Sequence, residues 1–197
     1  MLCSEGKAFC AGANFGSGEE LDEKGQFKNQ SDEERVRNLY VEAARLFECK
    51  KPIVGAIEGP AIGGGLGLAM VADFRVTCPE ARFSANFTRL GFHPGFGLTE
   101  TLPAVVGQQN ANLIFLTSRR FKGEEAYAMG LADLLVEQKE VRTAARSLAS
   151  EIAENSPLGI AETRATMRSG IGERVRAATA RELEIQTRLK ATADFKE

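Results

Sequence analysis

Ile53-Val54-Gly55-Ala56-Ile57-Glu58-Gly59-Pro60-Ala61-Ile62-Gly63-Gly64-Gly65-Leu66-Gly67-Leu68 is the stretch that decides the fold. Its first five residues form an apolar run, too short for a helix and suited to a buried strand. Glu58-Gly59-Pro60 turns the chain. The triple glycine follows, and Leu66 to Ala72 then reads as an apolar helix. Glycines at such a turn leave backbone N–H groups bare, where a Cβ or a longer side chain would hold a ligand away. A second turn of the same character is Phe9-Cys10-Ala11-Gly12-Ala13-Asn14. Two such N–H groups converging on one carbonyl oxygen form an oxyanion hole, from which loss of one donor costs about 10²–10³ in rate.

Upstream, Met1 to Cys3 reads as the tail of a strand, and Phe15 to Gln30 as a polar loop. A helix is expected to begin at Ser31, with Glu34 completing a capping box. Val36, Leu39, Ala43, Leu46 and Phe47 mark its buried stripe, and Pro52 stops it. Downstream, Phe74 to Thr77 is expected to be a strand. Phe83, Ala85 and Phe87 alternate with Ser84, Asn86 and Thr88 in the period-2 pattern of a half-buried strand. Gly91 to Gly97 is a further glycine-rich turn. After Phe121 the composition shifts to Ala, Glu and Arg, and helices are expected near 123–130, 139–154, 157–168 and 173–192. Strands alternating with helices, then a run of helices, predict an α/β core portion over 1–122 and a mainly helical C-terminal portion over 123–197.

The chain has 197 residues, 43% of them hydrophobic, enough for one domain with a real core. Its 25 basic and 27 acidic residues leave a net charge of −2, which gives no electrostatic reason to propose nucleic acid. No apolar run reaches the roughly 18–20 residues of a membrane span. Cys3, Cys10, Cys49 and Cys78 form no Cys-x-x-Cys pair and there is one histidine, so neither a metal site nor a disulfide framework is expected. A reducing cytoplasm is the default location. The glycine triplet lacks the Gly-Lys-Ser/Thr of a phosphate loop, and no Gly-x-Ser-x-Gly elbow is present.

Six stretches occur in order along the chain: Gly6 to Ala13, Lys51-Pro52-Ile53-Val54 through Gly59, and Gly63-Gly64-Gly65 with Leu68-Ala69 and Ala72-Asp73. Leu90-Gly91 through Gly97, Leu102-Pro103 with Val106-Gly107, and Ala126 through Asp133 complete the set. This ordered set resembles the crotonase superfamily, the enoyl-CoA hydratase/isomerase group. The resemblance implies a single crotonase-like domain over 1–197, built on a spiral of ββα units, and a homotrimer or dimer of trimers. It also implies an acyl-CoA substrate, with coenzyme A as part of that substrate and no separate cofactor. The thioester carbonyl would lie between two backbone amides, carried over by position to Ala13 and Gly64, with Ala11, Gly12, Gly63 and Gly65 beside them. Hydratases of the group use two glutamates, at positions that here hold Gly67 and Phe87. Neither residue moves a proton, so hydration by the usual route is not expected. Family members also extend beyond both ends of this sequence, and the chain is expected to be truncated.

His93 is the one side chain whose ordinary pKa lies near neutrality. In Gly91-Phe92-His93-Pro94-Gly95 it could move a proton beside the thioester, or simply hydrogen-bond locally. Glu100 and Glu58 suit solvated surfaces, Cys10 a small filler, and Phe87 an apolar wall of the acyl pocket. Two functions remain open. One is an acyl-CoA enzyme working through an enolate, and the other is a non-catalytic acyl-CoA-binding or assembly subunit of the same fold.

Overall fold

The computed structural model describes residues 1–12, 39 and 42–196. The expected loop over 15–30, the Ser31/Glu34 helix start, Val36 and Ala13 lie outside them.

Among the described residues the strands form two small sheets. In the first, β1 (Val54–Ile57) pairs in parallel with β3 (Phe74–Thr77), and β3 in parallel with β6 (Leu134–Leu135). In the second, β2 (Ala61–Ile62) pairs in parallel with β4 (Arg82–Ser84), and β4 antiparallel with β5 (Phe121–Lys122). Isolated parallel bridges add one residue position to each edge: Leu2 opposite Gly55, and Cys10 opposite Ala61. The first two passes, β1–β2 and β3–β4, therefore each lay one strand on the first sheet and the next on the second, whereas β5 returns to the second sheet and β6 to the first. After β2 the pass closes with a helix, α1 (Gly64–Val71). These two passes follow the ββα spiral that the family resemblance implied.

The core forms where the sheets and helices meet. All four residues of β1 are buried, as the unbroken apolar run required. Ile57, Leu66, Phe83, Leu98, Leu102, Ile114, Phe121 and Leu131 are all but inaccessible, and Phe83 stacks on Phe121 with ring centroids 5.6 Å apart. The helical C-terminal part follows expectation closely. It comprises α3 (Gly123–Ala128), α4 (Val141–Ala153), α5 (Pro157–Met167), α6 (Ile171–Lys190) and α7 (Ala193–Lys196). Asp73 ties this part to the first sheet. Its carboxylate accepts the Ile53 N–H at 2.7 Å and meets Arg164 at 3.0 Å and Arg168 at 2.9 Å.

Three expectations change. α2 (Leu98–Thr117) was not evident from sequence, because Pro103 and Gly107 interrupt it; Gly107 departs from helical geometry and marks a kink between two helical stretches. The strand expected through Phe87 ends at Ser84. Beyond it the chain enters a 3₁₀ turn at Thr88–Leu90, and Ser84 is as buried as Phe83 and Ala85, so the period-2 pattern did not divide core from solvent. In the helical residues 42–46, Ala43 is buried as expected, but Leu39 and Leu46 are about half exposed. Both face a cavity rather than the core.

Candidate active site

The first glycine turn is fastened to the second by strand-like pairing. Cys10 donates its N–H to Pro60 O at 3.0 Å, and Ile62 donates to Cys10 O at 3.0 Å. Gly63 continues the pattern by donating to Ser84 O at 2.8 Å. The pairing brings the turns into contact. A Cβ on Gly65 would stand 1.8 Å from Cys10 O, so only glycine allows this approach. Gly12, at φ +84°, lies beside the helix entrance; a Cβ there would be 3.7 Å from Gly64 N and 2.7 Å from Ile62 O. The next amide after Gly12 belongs to Ala13.

Gly63 is the N-cap of α1, and Gly64 is its first helical residue. First-turn N–H groups have no intrahelical partner and carry the positive end of the helix dipole. No acceptor for the Gly64 N–H exists among the described residues. It borders a cavity of about 660 Å³. Of the residues expected at the site, Ala11, Gly12, Gly63, Gly64 and Phe87 line this cavity together, with Cys10. Gly65 does not, being turned against Cys10. His93 is not among the lining residues either. It is half-buried, and its Nδ1 lies 2.8 Å from the Pro94 carbonyl oxygen.

The walls are aromatic. Phe87 meets Phe92 edge-to-face at 5.6 Å, and Phe92 meets Phe195 in the same way at 5.6 Å. Phe96 also lines the cavity and lies over Gly67. A Cβ on Gly67 would lie 2.6 Å from Phe96 Cβ, Cγ and Cδ1. The space a longer side chain at position 67 would need is thus already filled. Phe96 adopts φ +65°, a conformation that a bulky residue holds only where the surroundings impose it. Among the described residues, the acid–base groups lining the cavity are Cys10, Glu42 and Lys190, and exposed Glu42 pairs with Arg45 at 2.7 Å.

Phe92, Phe96, Gln186 and Lys190 were not foreseen as site residues. The last two come from α6, which the sequence marked only as a helix expected near 173–192. A signal was present: Val175, Thr179, Glu182 and Gln186 recur at helical spacing, and all four are buried. Glu182 is a buried carboxyl, raised above the ordinary glutamate range chiefly by its loss of solvent; hydrogen bonds from Thr99 and Gly97, and nearby His93, act in the opposite direction. Glu58 and Glu100 take the surface roles expected of them, paired with Arg142 and Arg174 respectively.

The sequence pattern of the enoyl-CoA hydratase/isomerase family matches residues 1–197. The chain belongs to that family. It is 39% identical over 169 residues to a probable enoyl-CoA hydratase of Mycobacterium tuberculosis, covering 86% of this chain and 63% of that one. An enoyl-CoA isomerase/hydratase of Zymoseptoria tritici is 35% identical over 213 residues, covering 100% of this chain and 67% of the relative. The crystal structure of an enoyl-CoA hydratase/isomerase from Pseudoalteromonas atlantica superimposes with a TM-score of 0.82 at 30% identity, covering 99% of this chain and 74% of that one. The chain thus spans just under two thirds of the length of the mycobacterial relative. Among the described residues, no helix is long and apolar enough to cross a membrane.

Proposed function

We propose that the protein acts on an acyl-CoA thioester, holding the thioester carbonyl oxygen on backbone amides while the neighbouring carbon gains negative charge as an enolate. The observation that carries this reading is the Gly64 N–H at the start of α1, without an acceptor among the described residues and bordering a cavity shared with Ala11 and Gly12. Ala13, which follows Gly12 in the chain, supplies the second amide in this proposal. A donor already in place at a helix N-terminus needs no reorganisation as charge develops, which is why such sites stabilise enolates and tetrahedral oxyanions. The aromatic walls suit an acyl chain, and coenzyme A enters as part of the substrate.

A second reading has its own support. By the resemblance, Gly67 and Phe87 take the positions of the glutamates of the family's hydratases, and Phe96 fills the space over Gly67. General acid–base groups contribute about 10²–10⁴ each. A protein that binds acyl-CoA without turning it over is the outcome these residues favour if no other proton carrier reaches the substrate. With Nδ1 on the Pro94 carbonyl, His93 would serve through Nε2, and only if the ring moved to reach the cavity that it does not line. Calorimetric titration with a panel of acyl-CoAs, followed by product analysis, separates the readings. Binding with turnover supports the enzyme, binding alone the non-catalytic subunit, and no binding refutes both. We further propose a cytoplasmic homotrimer or dimer of trimers. Leu116, Leu158 and Met167, each more than three-quarters exposed, are the side chains such contacts would cover.

A further inference from the structure

α6 grips the Gly91–Gly97 loop at two points. The Glu182 carboxylate is wholly buried and takes three donors: Gly97 N–H at 2.8 Å, Thr99 N–H at 3.0 Å and the Thr99 hydroxyl at 2.6 Å. One turn further along, Gln186 Nε2 donates to the His93 carbonyl oxygen at 2.7 Å. Lower on the same face, Val175 and Thr179 close against Gly97, where a Cβ would stand 2.8 Å from Val175 Cγ1. The two anchors straddle Pro94-Gly95-Phe96, and Gly95 and Phe96 line the cavity. Phe96 is the residue held at positive φ, with its ring over Gly67. A buried carboxylate persists only where donors compensate its desolvation, and here each of those donors lies at the junction of this loop with α2.

We infer that Glu182 is a positioning residue for the cavity: with Gln186 it clamps the 91–97 loop so that the Phe96 ring closes the space over Gly67, and so limits the size of the acyl group admitted. The size limit rests on the acyl-CoA reading above; the clamp does not. With the clamp lost, Phe96 is still spanned by the turn in which the Leu98 N–H donates to Gly95 O at 3.2 Å, a bond that return of Phe96 to negative φ would break. Once that turn opens, the ring leaves Gly67, and the cavity deepens.

Hydrogen exchange read by mass spectrometry tests the clamp, and calorimetry with short-chain and long-chain acyl-CoAs tests the size limit. In Glu182→Gln, which puts an NH₂ group against backbone donors, exchange at the amides of Gly97 and Thr99 is expected to rise about tenfold, with β1 unchanged. The preferred acyl chain is expected to lengthen. Thr99→Val removes one donor from the same carboxylate, should act in the same direction to a smaller degree, and serves if the Glu182 variant does not fold. Unchanged loop exchange in the folded variants overturns the clamp. A loosened loop with the same chain-length preference overturns the size limit. Wild-type protein that binds no acyl-CoA removes the functional reading and the size limit together, while exchange still decides the clamp.

Discussion

Replacing Gly64 by proline isolates the proposed oxyanion donor. Gly64 is the first residue of α1, the helix position where proline is best tolerated because its missing N–H would have no intrahelical partner. A side chain also fits there, since a Cβ on Gly64 would lie 3.8 Å from Phe96 Cδ2, an ordinary contact. Gly64→Pro therefore deletes one N–H at a position where its Cβ fits, its ring Cδ standing where the N–H pointed, and Gly64→Ala adds the same Cβ while retaining the donor. If that N–H holds the thioester oxygen, the proline variant loses about 10²–10³ in rate, equivalent to about 3–4 kcal/mol of transition-state stabilisation. The alanine variant should stay within about tenfold of wild type, as a change in pocket shape alone would give. The assay is exchange of the proton next to the thioester for deuterium, the step that passes through the enolate, with thermal unfolding run in parallel. A proline variant that folds and exchanges at the wild-type rate refutes the reasoning. So does an alanine variant that loses as much as the proline one.

Gly67→Glu alone places a Cβ 2.6 Å from Phe96, and is expected to destabilise the protein by about 1–3 kcal/mol; adding Phe96→Ala should restore most of that in urea unfolding, and a double variant no more stable than the single one contradicts the packing. Asp73→Ala leaves Arg164 and Arg168 largely buried without their carboxylate and the Ile53 N–H without its acceptor, so a loss of about 3–5 kcal/mol is expected by the same measurement. The buried Glu182 carboxyl holds its proton to higher pH in the folded protein than in the unfolded chain. The folded state is then the one that binds more protons, so this contribution to stability falls as pH rises from the usual glutamate value, about 4.3, to the raised folded one. Wild type compared with Glu182→Gln across that window should show the slope, and a difference that grows with rising pH would contradict it.

Much was legible in the sequence because the determining interactions are local. The Ile53–Ile57 run reads as a buried strand, and Val54–Ile57 is one; the triple glycine reads as bare amides facing a ligand, and Gly63 and Gly64 border the cavity while Gly65 instead lies against Cys10 O. The helices after Phe121 announced themselves by the shift to Ala, Glu and Arg, and the structure adds a cap at Ser156, whose hydroxyl accepts the Gly159 N–H at 3.4 Å at the start of α5. α2 was hidden because Pro103 and Gly107 break the local signal, and buried Leu98, Leu102 and Ile114 hold the helical stretches in place.

By itself, then, the sequence determined the strands at Val54–Ile57 and Phe74–Thr77, the helices after Phe121, the two glycine turns and the absence of carboxylates at positions 67 and 87, since each follows from residue type and spacing over a few neighbours. The tertiary structure alone decided that Phe96 occupies the space over Gly67 and that Glu182, 85 residues beyond Gly97, holds the loop that carries it. The physical reason is that backbone preference acts along the chain. A cavity is shaped by what the fold brings together across it, and no spacing rule reports which distant side chain will satisfy a buried donor or fill the room a glycine leaves.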